Sequence, residues 1–326
     1  MTQRKLLART ERWAFKEPFV ITGHTFTESD LLYVELTDAG AIGRGEAAGA
    51  YYRDESGASM LAELETVRDA IEAGADRSAL QNLLPPGGAR NALDCALWDL
   101  EAKQSGRSIW DLTGIEPRPT HTVLTIGIAT PDEMGAVART LDTARIKVKL
   151  NGELALERLR AVREARPDAE LVVDVNQGWT LDQLRTFSPR FADLGVAMIE
   201  QPLPRGGDSG LEGYRPPVPV CADESCLDLT EFEQAARRYQ VINIKLDKCG
   251  GLTEALQIAR RARERGIDVM VGNMMGTSLA IAPGFVVAQL ARFVDLDGPL
   301  FLTADRKCPM SIRHGEVTGP SSSLWG

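Results

Sequence analysis

Histidine is scarce in this chain: His24, His121 and His314 are the only three in 326 residues, and they lie far apart. Of the five cysteines (Cys95, Cys221, Cys226, Cys249 and Cys308), only Cys221 and Cys226 are close in sequence. An odd count in so long a chain argues against a disulfide framework. Without clustered histidines or a second cysteine pair, no structural zinc site is expected, and the thiols read as buried or half-buried side chains. No stretch approaches the ~18 apolar residues of a membrane span, and the opening MTQRKLLARTERWAF lacks the apolar core of a signal peptide. No membrane partner is therefore expected, and the cytoplasm is the default location. Positive charge is in deficit, with 37 Lys and Arg against 46 Asp and Glu for a net charge of -9. Nucleic acid or an anionic membrane would favour a basic surface, so neither is an expected partner. No G-x-G-x-x-G follows the first strand, which disfavours a dinucleotide-binding fold.

What remains is an ordinary globular composition, 44% hydrophobic and 25% charged. The length suits one large barrel plus a smaller domain. Residues 1–115 mix strands (PFVIT, DLLYVELTDAG and a glycine-broken AIGRGEA) with a helix from Gly57 to Gly74 and a second over ARNALDCALWDLEAKQSG, after the LLPPGG hinge. From about residue 120 short apolar runs alternate with amphipathic segments. Eight strands are read: HTVLTIGIA, ARIKVKL, ELVVDVN, VAMIEQP, VPVCADES, VINIKLD, IDVMVGN and RFVDLDG. Helices are read over ELALERLRAVREAR, TLDQLRTFSPRFADLG, DLTEFEQAARRY, LTEALQIARRARERG and, more weakly, SLAIAPGFVVAQLA. Eight strands alternating with helices fit an α/β fold with a closed parallel barrel over 116–305, an open doubly wound sheet being the alternative. The polar segment 306–326 is expected to pack back on the first domain, an α+β cap.

Active sites of such barrels lie at the C-terminal ends of the strands, and charges recur there. Asp174, Glu200 and Asp223 end three successive strands, 26 and 23 residues apart, close to one βα unit each. Three unneutralised carboxylates would repel one another; a hard divalent cation with all-oxygen ligation, such as magnesium, resolves the conflict. Lys147 and Lys149 share one face of the second strand, because side chains alternate. Lys245 sits on the sixth strand, across the barrel from Lys149. A lysine disfavoured as ammonium by burial and a nearby cation serves as a base near neutral pH. Two opposed lysines around one substrate carbon remove a proton from one face and return it to the other, which inverts that carbon. Lys147 is placed to pair with a substrate carboxylate.

The set KVK, DVN, IEQP, ADES and INIKLDKCGG, with NALDCALWDLEAK upstream, resembles the muconate-lactonizing subgroup of the enolase superfamily over nearly the whole chain. That resemblance implies a modified (β/α) TIM-type barrel with an α+β N-terminal capping domain. It implies Mg2+ held by Asp174, Glu200 and Asp223, with Lys149 and Lys245 as the acid/base pair and Lys147 on the substrate carboxylate. The strand-eight segment VDLDGPL resembles that of the dipeptide epimerases, in which an Asp-x-Asp binds the substrate's free ammonium group; Asp295 and Asp297 match it. Thr125 and Asn273 resemble further substrate contacts. The expected activity is 1,1-proton transfer at the α-carbon of a dipeptide's C-terminal residue through an enediolate, by a homo-oligomer.

Members of that group acting on Ala-Glu carry an arginine in the loop after the first strand. Here the loop reads ITGHTFTES, and Phe26 stands at the matching position. An aromatic ring cannot replace a cation facing a carboxylate, so a neutral, hydrophobic or aromatic second residue is expected, with His24 and Arg53 as other sources of positive charge. The loop AYYRDESGA is a candidate lid. Rival readings on the same site are a cycloisomerase, an o-succinylbenzoate synthase and an N-acylamino acid racemase. A sugar-acid dehydratase is disfavoured by the lack of a histidine on a late barrel strand. An inactive binding protein with the fold retained is a reading of another class.

Overall fold

Strands β1 (Lys5–Ile21), β2 (His24–Asp38) and β3 (Ala41–Ala48) form an antiparallel sheet in order β1-β2-β3 in the computed structural model, which describes residues 4–326. Strand β1 begins twelve or so residues before PFVIT, where sequence reading placed its start. Its early half largely alternates exposed with buried or half-buried residues, as an edge strand wet on one face does, and a register shift between Ala14 and Phe19 interrupts the pairing. Helices α1 (Gly57–Glu65), α2 (Arg68–Glu72), α3 (Arg77–Leu83), α4 (Gly88–Ser105) and α5 (Ile109–Thr113) follow. The single helix expected from Gly57 to Gly74 is broken at Thr66-Val67. There the Thr66 hydroxyl donates to Glu63 O at 2.7 Å, and the amides of both residues bond three residues back, a tightened turn.

The glycines of AIGRGEA do not break β3. They let α4 pack against it: a Cβ on Gly45 would sit 2.0 Å from Ala92 O, and one on Gly43 2.2 Å from Ala96 O. Because the obstacle is helix backbone, Gly45→Ala is expected to lower unfolding stability by about 1–3 kcal/mol, read as an earlier urea midpoint.

The second sheet is parallel. Its eight strands are β5 (Leu124–Ile126), β6 (Arg145–Lys149), β7 (Glu170–Asp174), β8 (Val196–Glu200), β9 (Val220–Ala222), β10 (Val241–Ile244), β11 (Asp268–Val271) and β12 (Phe293–Val294), paired in chain order. The amide of Val123, just before β5, donates to Val294 O at 2.9 Å, so the sheet's two edges meet. The eight strands read from the sequence are all present. Helices α7 (Ala155–Ala165), α8 (Leu181–Asp193), α9 (Phe232–Arg238), α11 (Leu252–Arg265) and α12 (Ser278–Ala288) are those expected. Two of the barrel's helices were missed: α6 (Pro131–Thr140), opened by a Thr130/Glu133 capping box with proline in its first turn, and the single turn α10 (Leu246–Cys249); in the cap, α3 and α5 were missed as well.

The core is layered as the sequence pattern requires. Val148, Val173 and Ile199 face the helices, while Val123, Val172, Met198, Cys221, Val241, Met270 and Phe293 fill the barrel interior. Lys147, paired in register with Val172, is the charged member of that inner region. The tail forms a hairpin, β13 (Ile312–Arg313) and β14 (Glu316–Val317), on β4 (Thr120–His121). It then reaches α4, where Trp325 Nε1 donates to Cys95 O at 2.9 Å. The five cysteines are free, Cys308 alone being exposed. No helix among the described residues is long and apolar enough to cross a membrane.

Candidate active site

Parallel pairing sets the registry of the charged residues. Lys149 pairs with Asp174, and Asp174 with Glu200, so the ends of β6, β7 and β8 stand side by side. Asp174 and Glu200 are fully buried, and Asp223 nearly so. Lys147 Nζ lies 3.0 Å from Asp174 Oδ2, 2.7 Å from Glu200 Oε2 and 2.6 Å from Asp295 Oδ2. Lys149 Nζ donates to Asp174 Oδ2 at 2.6 Å and to Asn176 Oδ1 at 3.0 Å. Lys245 Nζ donates to Asp223 Oδ2 at 2.7 Å. Strands β6 and β10 are four places apart in a ring of eight, so Lys149 and Lys245 approach from opposite sides.

Burial and charge act against each other here. Burial alone would raise Asp174 and Asp223, but Lys149 and Lys147 hold Asp174 down at about 2, and Lys245 and Lys248 hold Asp223 below the usual carboxylate range. Burial and the Asp174 charge push Glu200 up to about 7. At Lys245 the carboxylates act against the expected effect of burial and a bound cation. Burial does oppose its charge, yet Asp223 and Glu200 outweigh that and raise it above the ordinary lysine value. The same balance, led by Asp295, holds Lys147 up. A lysine in this site becomes a base only when the charge of its carboxylate partner is committed elsewhere.

Among the described residues no three carboxylate, histidine or cysteine side chains form a ready-made cation cage, because lysine ammoniums lie between them. The donor set nonetheless fits a hard cation: all oxygen, at three adjacent strand ends, with acceptor capacity to spare. Glu200 Oε2 has an ammonium 2.7 Å away but no well-directed hydrogen bond, and both carboxylate oxygens of buried Glu224 have no partner. The Coulombic contact of Glu200 is real; the missing hydrogen bond reflects its angle.

Lys149, Asn176, Asp223, Glu224, Lys245 and Asn273 line one cavity of about 230 Å³. Its roof comes from the first sheet and the loop after β3: Phe19, Ile21, Phe26, Tyr51 and Tyr52, with Glu28, Asp30 and Glu55. Phe26 stands in an aromatic group, its ring 4.2 Å from that of His24 and 5.5 Å from that of Tyr51. Arg53 is turned away, donating to Pro86 O at 2.9 Å and Lys248 O at 3.3 Å. Apart from the two lysines, the charged residues lining the cavity are acidic.

Asp295 and Asp297 lie side by side, buried, beyond Lys147. Burial and the neighbouring Asp295 push Asp297 up to about 8, although the Thr125 amide donates to its Oδ2 at 2.8 Å. Thr125 meets Asp297 through its amide and its side chain, and the residue also lines a separate groove with Val20 and Val137. Asn273 Nδ2 donates to Asp295 O at 2.6 Å while its Oδ1 is buried without a partner.

Sequence reading assigned no part to several residues that build the site. Asn243 Nδ2 donates to Glu200 Oε1 at 2.7 Å. Lys248 Nζ grips Asp223 Oδ1 at 2.7 Å. Gln201, with a strained φ of 33°, accepts from the Asp223 and Ser225 amides at 2.9 and 3.0 Å and so shapes the turn carrying Asp223 and Glu224.

A family model described as enolase C-terminal domain-like matches residues 132–321, and the mandelate racemase / muconate lactonizing enzyme N-terminal domain matches residues 3–114. The chain is 44% identical over 311 residues to the L-Ala-D/L-Glu epimerase of Escherichia coli, covering 94% of this chain and 97% of that protein. An enolase family member from Agrobacterium tumefaciens with homology to dipeptide epimerases, solved with sodium and L-Ala-L-Glu, superposes with a TM-score of 0.96 at 41% identity, covering 99% and 100% of the two chains. A dipeptide epimerase from Enterococcus faecalis complexed with Mg and L-Leu-L-Tyr gives a TM-score of 0.91 at 27% identity, covering 99% of each.

Proposed function

The chain belongs to the enolase superfamily, in its mandelate racemase / muconate lactonizing enzyme family, and from that membership we propose that it is a magnesium-dependent dipeptide epimerase. The observation that carries the reading is a pair of lysines, on strands four places apart, lining one cavity and each hydrogen-bonded to a carboxylate of the same buried cluster. Asp174, Glu200 and Asp223 would hold the metal. Magnesium, when bound, supplies positive charge beside the substrate carboxylate. Lys147 faces that carboxylate from the barrel interior. Nζ of Lys149 or Lys245 takes the α-proton of the dipeptide's C-terminal residue, and the other lysine delivers a proton to the opposite face. Asp295 and Asp297 receive the dipeptide's ammonium group, which cycloisomerase and o-succinylbenzoate substrates lack. The capping sheet and the Tyr51–Tyr52 loop exclude water from the cavity.

The side chain of the C-terminal residue points toward Phe26 and Tyr51. With no cation among the roof residues and with Glu28 and Asp30 at the edge, a glutamate side chain is disfavoured and an apolar or aromatic one preferred. The test is mass spectrometry of a dipeptide library in heavy water with magnesium. Deuterium is expected at the α-carbon of L-Ala-L-Phe and L-Ala-L-Leu types, and a chelator is expected to stop it. No uptake in any dipeptide sinks the activity; faster uptake in L-Ala-L-Glu sinks the specificity. Phe26→Arg is expected to raise kcat/KM for L-Ala-L-Glu about 10- to 100-fold, the worth of one charge-assisted hydrogen bond of about 1.5–3 kcal/mol.

A further inference from the structure

The turn α10 starts at Lys245, its N-cap, and is held by both domains. On the barrel side, Lys248 Nζ donates to Asp223 Oδ1 and to Asp223 O, each at 2.7 Å. On the cap side, Arg90 of α4 donates to Cys249 O at 2.7 Å and Gly250 O at 3.2 Å, and Arg53 of the Tyr51–Tyr52 loop donates to Lys248 O. At the centre lies Asp247, buried. Its Oδ1 accepts from the Ala48 amide and from Asn91 Nδ2, both at 3.0 Å, and the Met274 amide adds a further hydrogen bond.

Ala48 ends β3, and the residues after it form the loop that roofs the cavity. That loop is folded on itself: the Ala50 amide donates to Glu55 Oε2 at 3.0 Å, and a Cβ at Gly49 would meet Glu55 O at 2.4 Å. Met274 follows Asn273, another cavity residue. One carboxylate thus joins the base of the roof loop, the cap helix and the β11–α12 loop to a turn whose first residue is a catalytic lysine.

We propose that Asp247 is a positioning residue that couples seating of the Tyr51–Tyr52 loop to placement of the Lys245 ammonium. Lys149 sits on β6, where the cap contact is a different one, Thr22 Oγ1 donating to Leu150 O at 3.2 Å, so coupling to the Tyr51–Tyr52 loop acts on one of the two lysines. The proposal rests on the epimerase reading for its kinetic test but not for its structural one.

The discriminating variant is Asp247→Asn, which keeps the shape but turns one acceptor oxygen into a donor facing N–H groups. In heavy water, α-exchange would be followed from each stereoisomer separately. Exchange from the isomer deprotonated by Lys245 is expected to fall at least tenfold more than exchange from the isomer deprotonated by Lys149, and amides 48–56 are expected to exchange faster. Equal loss from both isomers, or unchanged protection of amides 48–56, overturns the proposal and leaves Asp247 a plain staple of the fold. Should Asp247→Asn not fold, Arg53→Met removes the second loop-to-turn contact and is expected to give the same asymmetry in smaller measure; symmetric loss there overturns the coupling. If the wild-type protein exchanges no dipeptide, the epimerase reading fails, and amide exchange of the variant alone decides this one.

Discussion

Lys245→Ala and Lys149→Ala are each expected to abolish interconversion of the stereoisomers, with a loss of about 10³-fold or more, within the range that a positioned acid or base contributes. The structure gives reason to expect folded variants. Without Lys245, Asp223 keeps Lys248 at 2.7 Å. Without Lys149, Asp174 keeps Lys147 at 3.0 Å. Neither change leaves a buried carboxylate without a cation, the situation that costs several kcal/mol. The two variants are expected to differ in a telling way. An enzyme with one lysine still removes a proton from one stereoisomer and returns it to the same face, so deuterium enters that isomer without inversion. The other variant exchanges the opposite isomer. The measurement is proton NMR at the α-carbon of each pure diastereomer in heavy water. If both variants interconvert the isomers at wild-type rates, the lysines are structural partners of Asp174 and Asp223 and other groups move the proton.

The chemistry of this site was legible because it sits where the sequence pattern is most regular. Each barrel strand is a short apolar run bounded by turn residues, and a charge inside such a run at its C-terminal end has few structural explanations. Lys147, Lys149, Asp174, Glu200, Asp223, Lys245, Asp295 and Asp297 all fall into that class. Lys149 and Lys245 line the same cavity and Asp174 and Glu200 share the Lys147 ammonium. Helix α6 was missed because its buried face is only Met134, Gly135 and Ala138, too small a stripe to register as amphipathic, although Thr130-Pro131-Asp132-Glu133 is a good start signal. The first half of β1 was missed because charges interrupt it and it pairs with a single strand, β2.

What could not be read is which polar residue meets which. Asn243, Lys245, Asp247 and Lys248 lie within six residues of sequence, yet their partners are Glu200, Asp223, Ala48 with Asn91, and Asp223 again. Spacing assigns Lys245 to the barrel mouth but says nothing of a carboxylate two residues later that reaches back to β3, 199 residues away. The partner of the lysine was illegible for the same reason. Burial argued for a neutral amine, whereas contact with Asp223 at 2.7 Å raises the ammonium's hold on its proton.

Asp295→Asn combined with Asp297→Asn is expected to lower kcat/KM for dipeptides with a free amino group about 10³-fold, two hydrogen bonds to charged groups at about 1.5–3 kcal/mol each. The pair is short of positive partners in the structure. Asp295 has Lys147 at 2.6 Å, whereas Asp297 is hydrogen-bonded by Thr125, and burial beside Asp295 lifts it to about 8. A second cation beside the pair would favour the ionised form of Asp297, and an ammonium brings three donors. Folding is expected to survive the double change, because Lys147 retains Asp174 and Glu200 within 3.0 Å. The decisive quantity is a ratio: kcat/KM for a dipeptide divided by that for its N-acetylated form. Losing the two charges is expected to bring that ratio down by about two orders of magnitude or more, because the acetylated substrate never used them. A ratio that stays put while both rates fall means that Asp295 and Asp297 act through Lys147 rather than on the ammonium, and the choice between a dipeptide epimerase and an N-acylamino acid racemase then reopens.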